Sequence, residues 1–323
     1  MLLNHPLVQL KRCFATSEFA LQDFFTHPRV SDVQCFSEDR LFQNLTDVVF
    51  LATPAEVSLE LAPKIIAAGK KVIDLSGAFR LKYNDYQKWY GFHHSALNFL
   101  AEAQYGLSPW AGPASSSVRL VANPGCYATA ILMALIPLLK NGLIQADTVV
   151  IDAKSGATGA GRKASESMIF SEVSGECLPY KVGRHQHYPE IQEGLLSYAG
   201  QTIEAHFTTS LLPVRRGIIA GIYLKTQMGV SEAMIGAVYE DAYRNYDLVK
   251  VRSLKNQNMQ SSLKKVVGTA QTHISYELQD SRLYIFACID NLMKGAASQA
   301  IENLNRICDW PLETGLNHLE ALI

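Results

Sequence analysis

Short apolar runs alternating with segments of helical spacing organise the first third of the chain. Asp47 to Ala52 is a nearly continuous apolar run that stops at Thr53-Pro54, the pattern of a parallel strand buried on both faces. From Val57 to Ala68 the residues Leu59, Leu61, Ile65 and Ile66 fall on one helical face and Gly69 closes the segment, so a helix is predicted there. A second strand-like run, Lys71 to Leu75, completes a βαβ unit. A third, Arg119 to Asn123, leads through Pro124-Gly125 into Cys126 and an apolar segment reaching Leu139. That reads as strand, tight turn and helix, and the region is predicted to be α/β with parallel strands.

The texture changes at Thr148. Strand-like runs occur at Thr148 to Ala153, Ile203 to Leu212, Ile218 to Lys225, His273 to Leu278 and Leu283 to Ile289, with one clear helix at Ser231 to Tyr243. An α+β domain with a larger, antiparallel-rich sheet is predicted. Lys294 to Ile307 again shows helical spacing (Ala297, Ile301, Leu304, Ile307) and is expected to return to the first domain.

Composition narrows the function classes. The 323 residues exceed the ~250–300 at which one core stops growing, so two domains are expected. With 29 Lys+Arg against 30 Asp+Glu, no basic excess is available for a phosphate backbone, which argues against nucleic-acid binding. No apolar run reaches the ~20 residues of a membrane span, and Met1 to Pro6 lacks the pattern of a signal peptide, so a cytoplasmic protein with no membrane role is expected. The six cysteines form no CxxC pair and read as reduced thiols.

Local context singles out one of them. Cys126 sits where a strand turns into a helix, and helix N-terminal N–H groups lower a thiol pKa and cradle an oxyanion. It is the candidate nucleophile, whereas Cys13, Cys35, Cys288 and Cys308 read as structural thiols. Asp152 to Arg162 packs three glycines and two hydroxyls into one loop, which either lets backbone N–H groups approach a ligand or is only a turn. His185 and His187 stand two residues apart, on one side of the chain if the segment is extended. Metal binding with Cys177 is disfavoured because no fourth ligand stands at a zinc-like spacing. A general acid/base role is favoured instead, since a thiol nucleophile needs a proton partner. Arg80 follows the second strand of the βαβ unit, where it either pairs with a carboxylate or phosphate of a ligand or makes a surface ion pair.

Taken together these segments resemble the N-acetyl-gamma-glutamyl-phosphate reductase family, related in design to aspartate-semialdehyde dehydrogenase. The resemblance rests on Asp47-Val-Val-Phe-Leu-Ala, Val72-Ile-Asp-Leu-Ser-Gly-Ala-Phe-Arg-Leu, Trp89-Tyr-Gly-Phe, Tyr105-Gly-Leu and Asn123-Pro-Gly-Cys-Tyr-Ala-Thr. It continues through Ser155-Gly-Ala-Thr-Gly-Ala-Gly-Arg-Lys-Ala, His185-Gln-His-Tyr-Pro-Glu-Ile, Arg216-Gly-Ile and Asp290-Asn-Leu-Met-Lys-Gly-Ala-Ala, and so runs nearly end to end. It implies a Rossmann-type dinucleotide-binding domain, residues 1–125 and 293–323, with an inserted α+β catalytic and oligomerisation domain of mixed or antiparallel sheet, residues 126–292.

The chemistry it implies is NADPH-dependent reduction of N-acetyl-L-glutamyl 5-phosphate to the 5-semialdehyde and phosphate, in arginine biosynthesis. The thioester would form on Cys126, with His185 as acid/base. Arg80, His187 and Arg216 would anchor the acyl-phosphate substrate. Ser155, Gly156, Gly159, Gly161 and Asn291 would lie on the nicotinamide side of NADP(H), and Thr53, Pro54, Ser76 and Gly77 along its other contacts. No metal is implied, and a homo-oligomer, tetramer or dimer, is.

Alternatives are a reductase of aspartyl or carrier-bound aminoadipyl phosphate, a Cys-His hydrolase, and a cofactor-free, non-catalytic relic. The relic reading arises because the family opens with a strand and a glycine-rich turn of the GASGYTG kind, whereas Leu2 to Pro6 resembles the end of the helix after that turn. A natural start ~20 residues upstream is the matching expectation, given the ~30 residues of a βαβ unit. The family's His-Arg-His pattern is His185-Gln186-His187 here, which removes one positive charge.

Overall fold

The computed structural model describes residues 1–114, 117–161, 169–255 and 261–317. The described residues divide into two compact units: residues 1–79, 94–123 and 300–317, and residues 80–93 and 124–299.

In the first unit, β1 (Arg12–Ala15) and β2 (Gln34–Ser37) pair in parallel as one small sheet. A second, all-parallel sheet has the order β3 (Val48–Leu51), β4 (Lys71–Asp74), β6 (Leu120–Ala122) and β5 (Gln104–Tyr105). Among the described residues no strand joins the two sheets. The predicted βαβ unit is present, with α1 (Ala55–Ala67) between β3 and β4 and its residues Leu59, Ala62, Ile65 and Ile66 buried. Ile73 and Val121 of the sheet meet Ala300, Leu304 and Ile307 of the C-terminal helix α8 (Ser298–Ile307) in one apolar cluster. The apolar positions Ile301, Leu304 and Ile307 are buried, and so are the polar positions Gln299, Glu302, Asn303, Asn305 and Arg306 of the same helix. A π-helical turn, Met293–Ala297, precedes that helix. Besides α1, a short helix α3 (Leu97–Glu102) precedes β5, while the short helix α2 (Tyr86–Trp89) belongs to the second unit.

The second unit carries a seven-stranded mixed sheet. Its strands are β7 (Val149–Gly156), β8 (Leu178–Tyr180), β9 (Ala205–Leu212), β10 (Ile218–Lys225), β11 (Val249–Ser253), β12 (Thr272–Gln279) and β13 (Arg282–Ile289), in the spatial order 11-12-13-10-7-9-8. Antiparallel pairing dominates its centre, and the β7–β9 and β11–β12 pairs are parallel. Along β7, β10 and β13 the alternating residues Val149, Ile151, Ala153, Ile218, Ala220, Ile222, Ile285 and Ala287 are buried. Helix α4 (Cys126–Lys140) packs on β10, β12 and β13, and α6 (His187–Ala199) and α7 (Glu232–Tyr243) pack against α4. Enclosed on all sides, α4 is apolar all round, as a core helix must be.

The opposite positions, Val150, Ile219, Tyr223, Tyr284 and Phe286, are exposed or half-buried. No helix of the described unit accounts for them by alternation, and the sheet keeps an open face with apolar and aromatic content. A short helix α5 (Phe170–Val173) also lies in this unit.

Sequence spacing misses α6, and an extended segment is only one possibility for the His185–His187 pair. The structure begins a helix at His187, with Gln186 as N-cap. Pro189 and Glu190 in the first turn explain the start, because proline lacks an N–H that would go unpaired there and an acidic side chain suits the positive helix end.

Helices α4 and α6 approach closely at Gly194, where an added Cβ would come 2.6 Å from Leu132 Cδ1. Leu132 is fully buried and has little room to yield. Gly194→Val should therefore lower unfolding free energy by ~1–3 kcal/mol, read by urea denaturation; an unchanged midpoint would contradict this packing.

Candidate functional site

Cys126 is the first residue of α4, and Gly125 is its N-cap in extended conformation (φ −74°, ψ 156°) with no side chain capping the helix. The Gly125 N–H donates instead to Glu190 Oε1 at 2.6 Å. Glu190 is fully buried in the first turn of α6. Its other oxygen lies 3.6 Å from Arg80 Nη1 and 3.9 Å from His187 Nε2. A methyl group on Gly125 would collide with His187 Nε2 and come within 2.8 Å of both Arg80 Nη1 and Glu190 Oε2. Glycine is needed there so that three functional groups can close on the turn that carries Cys126.

On the other side, a Cβ on Gly295 would lie 2.7 Å from Cys126 Cβ, so the π-helical turn passes directly against the thiol-bearing residue. The resemblance quotes Glu190 and Gly295 inside motifs without giving them a role. Spacing alone carries no signal for either, since both matter through contacts with residues far away in sequence.

The two imidazoles are neighbours. Their ring centroids are 4.9 Å apart, and the His187 backbone N–H donates to His185 Nδ1 at 3.2 Å. Tyr127 sets its ring edge-on to both, 5.2 Å from His185 and 5.9 Å from His187. Tyr180 donates its hydroxyl to Tyr127 Oη at 2.9 Å. His187 Nδ1 is buried and has no hydrogen-bond partner among the described residues, a state that a bound polar group would relieve.

Burial governs the electrostatics. It pushes the Cys126 thiol up to about 11, against the lowering pull of the Tyr127 N–H and the Arg80 charge, with Glu190 adding to the rise. The expectation of a thiol acidified by its helix end is thus reversed, because desolvation outweighs the helix end and the arginine. Burial likewise pushes His185 down to about 2, helped by His187 and Lys181, and His187 down to about 3, helped by Arg80 and Lys181. Both imidazoles are neutral at pH 7.

The glycine loop differs in mechanism from a phosphate cradle. The N–H groups of Gly156, Ala157 and Thr158 donate to the carbonyls of Gly217, Val214 and Arg215 at 2.8, 2.9 and 3.1 Å. A Cβ on Gly156 would meet Arg216 N at 2.7 Å. These amides clamp the Val214–Gly217 turn and are not free for a ligand. Ser155 is buried beside Gly159, and Gly161 adopts φ +83°; the end of the motif, residues 162–164, lies outside the described residues. Asn291 joins the same assembly, accepting from Gly217 N–H at 2.8 Å and donating to Thr158 Oγ1 at 3.0 Å. Arg216 pairs with buried Asp290 at 2.7 Å.

Thr53, Pro54, Ser76 and Gly77 belong to the first unit, at the carboxyl ends of β3 and β4. Thr53 Oγ1 shares a hydrogen bond with Ser58 Oγ at 2.7 Å, and Pro54 is the N-cap of α1. Ser76 donates to Asp74 Oδ2 at 2.8 Å and accepts from the Ala78 N–H at 3.1 Å.

A thiol held protonated should alkylate slowly at neutral pH. The iodoacetamide rate at Cys126, followed by peptide mass spectrometry, is expected to climb about tenfold per pH unit up to and beyond pH 9, as for the thiolate fraction of a weak acid. A plateau reached below pH 8 would overturn the assignment of burial as the dominant effect.

Comparison with known proteins places this geometry in context. The chain matches the semialdehyde dehydrogenase NAD binding domain over residues 1–117 and the semialdehyde dehydrogenase dimerisation domain over residues 126–291. It is 39% identical over 325 residues to N-acetyl-gamma-glutamyl-phosphate reductase of Geobacillus kaustophilus, covering 99% of this chain and 94% of the relative. With the protein of that name from Bacillus anthracis it is 41% identical over 276 residues, 84% of this chain and 79% of the relative. Among solved structures, aspartate semialdehyde dehydrogenase II of Vibrio cholerae superposes with a TM-score of 0.64 at 15% identity, covering 86% of this chain and 83% of that one. The Francisella tularensis aspartate semialdehyde dehydrogenase gives 0.63 at 17% identity, covering 91% and 90%. These two likenesses speak to the fold, a Rossmann-type domain with an inserted α+β domain. With nearly the whole chain aligned to the Geobacillus protein at 39% identity, this chain belongs to the N-acetyl-gamma-glutamyl-phosphate reductase family.

Proposed function

We propose that the chain reduces N-acetyl-L-glutamyl 5-phosphate to N-acetyl-L-glutamate 5-semialdehyde and phosphate with NADPH, as a cytoplasmic enzyme of arginine biosynthesis. The observation that carries this reading is the closure of Arg80, His187 and Glu190 on the Gly125–Cys126 turn. A cysteine at a helix start, a neutral imidazole pair and a guanidinium are the groups an acyl phosphate requires: nucleophile, proton acceptor and anion anchor.

The residues present fit a nicotinamide dinucleotide. In the first unit β3 and β4 are parallel neighbours, and Thr53-Pro54 and Ser76-Gly77 follow their carboxyl ends, where open α/β sheets bind such ligands. Pro54 caps α1 without a side-chain hydrogen bond, which leaves that helix start to an anion. In the second unit Ser155, Gly159 and Asn291 cluster by the Arg216 turn. The choice of NADP(H) over NAD(H) rests on the resemblance. When bound, the nicotinamide supplies the hydride that no side chain can.

The remaining chemistry falls to the chain's own residues. The thiol proton passes to the imidazole pair as the sulfur attacks the acyl carbon, and the carbon–oxygen bond to phosphate breaks to leave a thioester on Cys126. Reduction of the thioester gives a tetrahedral oxyanion facing the start of α4. Its collapse expels the thiolate and releases the aldehyde. His185 carries the acid/base role, and His187, its ring centroid 4.9 Å away, lies against the Gly125 turn as a further anchor for the substrate. Arg80 and Arg216 are the anchors for the substrate's anionic groups.

The open face of the seven-stranded sheet, with Val150, Ile219, Tyr223, Tyr284 and Phe286, is the surface we assign to a second copy of the chain in a homo-oligomer, dimer or tetramer. Apolar and aromatic residues gathered on one exposed face suit such an interface.

The test is phosphate-dependent NADP reduction with N-acetyl-L-glutamate 5-semialdehyde. Cys126→Ser is expected to abolish it, and His185→Asn to slow it by ~10²–10⁴. Activity surviving in Cys126→Ser would sink the thioester route. Preferred turnover of aspartate semialdehyde would reassign the substrate within the same chemistry.

A further inference from the structure

Arg216 does not lie loose in the site. Its Nε donates to Asp290 Oδ1 at 3.3 Å and its Nη2 lies 2.7 Å from Asp290 Oδ2. The carboxylate thus grips the side edge of the guanidinium. Among the described residues Nη1 has no recorded partner, and the arginine side chain keeps 29% of its surface exposed while that of Asp290 keeps none.

Asp290 is itself fixed from behind. Oδ2 also accepts the Gly268 N–H at 2.7 Å, and Oδ1 accepts the N–H groups of Leu292 and Met293 at 2.8 and 3.2 Å. Every atom facing this carboxyl is a donor, so both oxygens must be acceptors. An amide in its place would turn an NH2 toward at least one N–H. The next residue, Asn291, holds the Gly217 N–H, which fixes the backbone on the far side of Arg216.

A guanidinium has two forks, one at Nε/Nη2 and one at Nη1/Nη2. When a buried carboxylate occupies the first, the second points outward at a fixed angle and matches a carboxylate or phosphate in bidentate fashion. We infer that Asp290 is a positioning residue, aiming the outer fork of Arg216 at an anionic oxygen group of the substrate. The inference rests on the proposed acyl-phosphate reductase activity and deepens it. The anionic group is either the transferred phosphate or the substrate carboxylate, which share this chemistry.

The experiment is steady-state kinetics of the holoenzyme in the phosphorylating direction, varying phosphate and semialdehyde separately, for wild type, Arg216→Ala, Arg216→Lys, Asp290→Asn and Arg216→Ala/Asp290→Asn. Arg216→Ala and Asp290→Asn should each raise one Michaelis constant by roughly 10- to 100-fold, the range for a lost charged hydrogen bond, with kcat changed much less. A rise confined to phosphate assigns the fork to the transferred group; a rise confined to semialdehyde assigns it to the substrate carboxylate. Asp290→Asn should add almost nothing once Arg216 is already alanine, because the two act as one unit.

The failures separate. Unchanged Michaelis constants in Arg216→Ala would remove Arg216 from the substrate site. A full Asp290→Asn loss persisting in the Arg216→Ala background would make Asp290 merely structural. Should Asp290→Asn fail to fold, Arg216→Lys decides. It keeps the charge but has no fork, so a Michaelis constant close to that of wild type would overturn the inference and one close to that of Arg216→Ala would support it.

Discussion

The second unit's chemistry depends on one buried carboxylate. Glu190 accepts the Gly125 N–H at 2.6 Å and sits beside Arg80 and His187. An acidic group removed from water is costly unless it is hydrogen-bonded and paired, and here the start of α4 and a guanidinium provide both. The compensation is also structural information. Because Glu190 is satisfied only when the Gly125 turn, Arg80 and the first turn of α6 are all in place, it ties three chain segments to one geometry. Cys126 inherits its position from that arrangement.

The same burial sets the resting state of the nucleophile. A helix end and a nearby arginine acidify an exposed cysteine, but desolvation here is larger and leaves the thiol protonated beside neutral imidazoles. Such a pairing leaves the proton on sulfur at neutral pH.

Much of this was legible in the sequence, for identifiable reasons. The apolar runs ending at Ala52 and Leu75 mark β3 and β4, although only β4 is buried as expected and β3, at the sheet edge, is half-buried up to Leu51, and Leu59, Ile65 and Ile66 mark α1 by their helical spacing. The strand-turn-helix at Asn123 to Cys126 is written in its proline and glycine. What was not legible depends on distant contacts. Helix α6 escapes because His187 to Ala199 mixes polar and apolar residues without a clean stripe. Glu190 carries no local signal, since its partners stand 65 and 110 positions away in Gly125 and Arg80. The direction of the Cys126 shift also escapes, because a sequence displays a helix end but not how much water surrounds it.

The glycine loop shows how a correct location can hide a different mechanism. Glycines after a strand suggest amides offered to a ligand, yet Gly156, Ala157 and Thr158 spend theirs on the carbonyls of Val214 to Gly217. Gly156 is required because the Arg215–Arg216 backbone passes where a Cβ would be. The loop therefore fixes the turn that carries Arg216, as Asn291 does from the other side. Rigid backbone clamped to rigid backbone gives a long, flexible side chain a defined aim, which the loop's amides alone would not do.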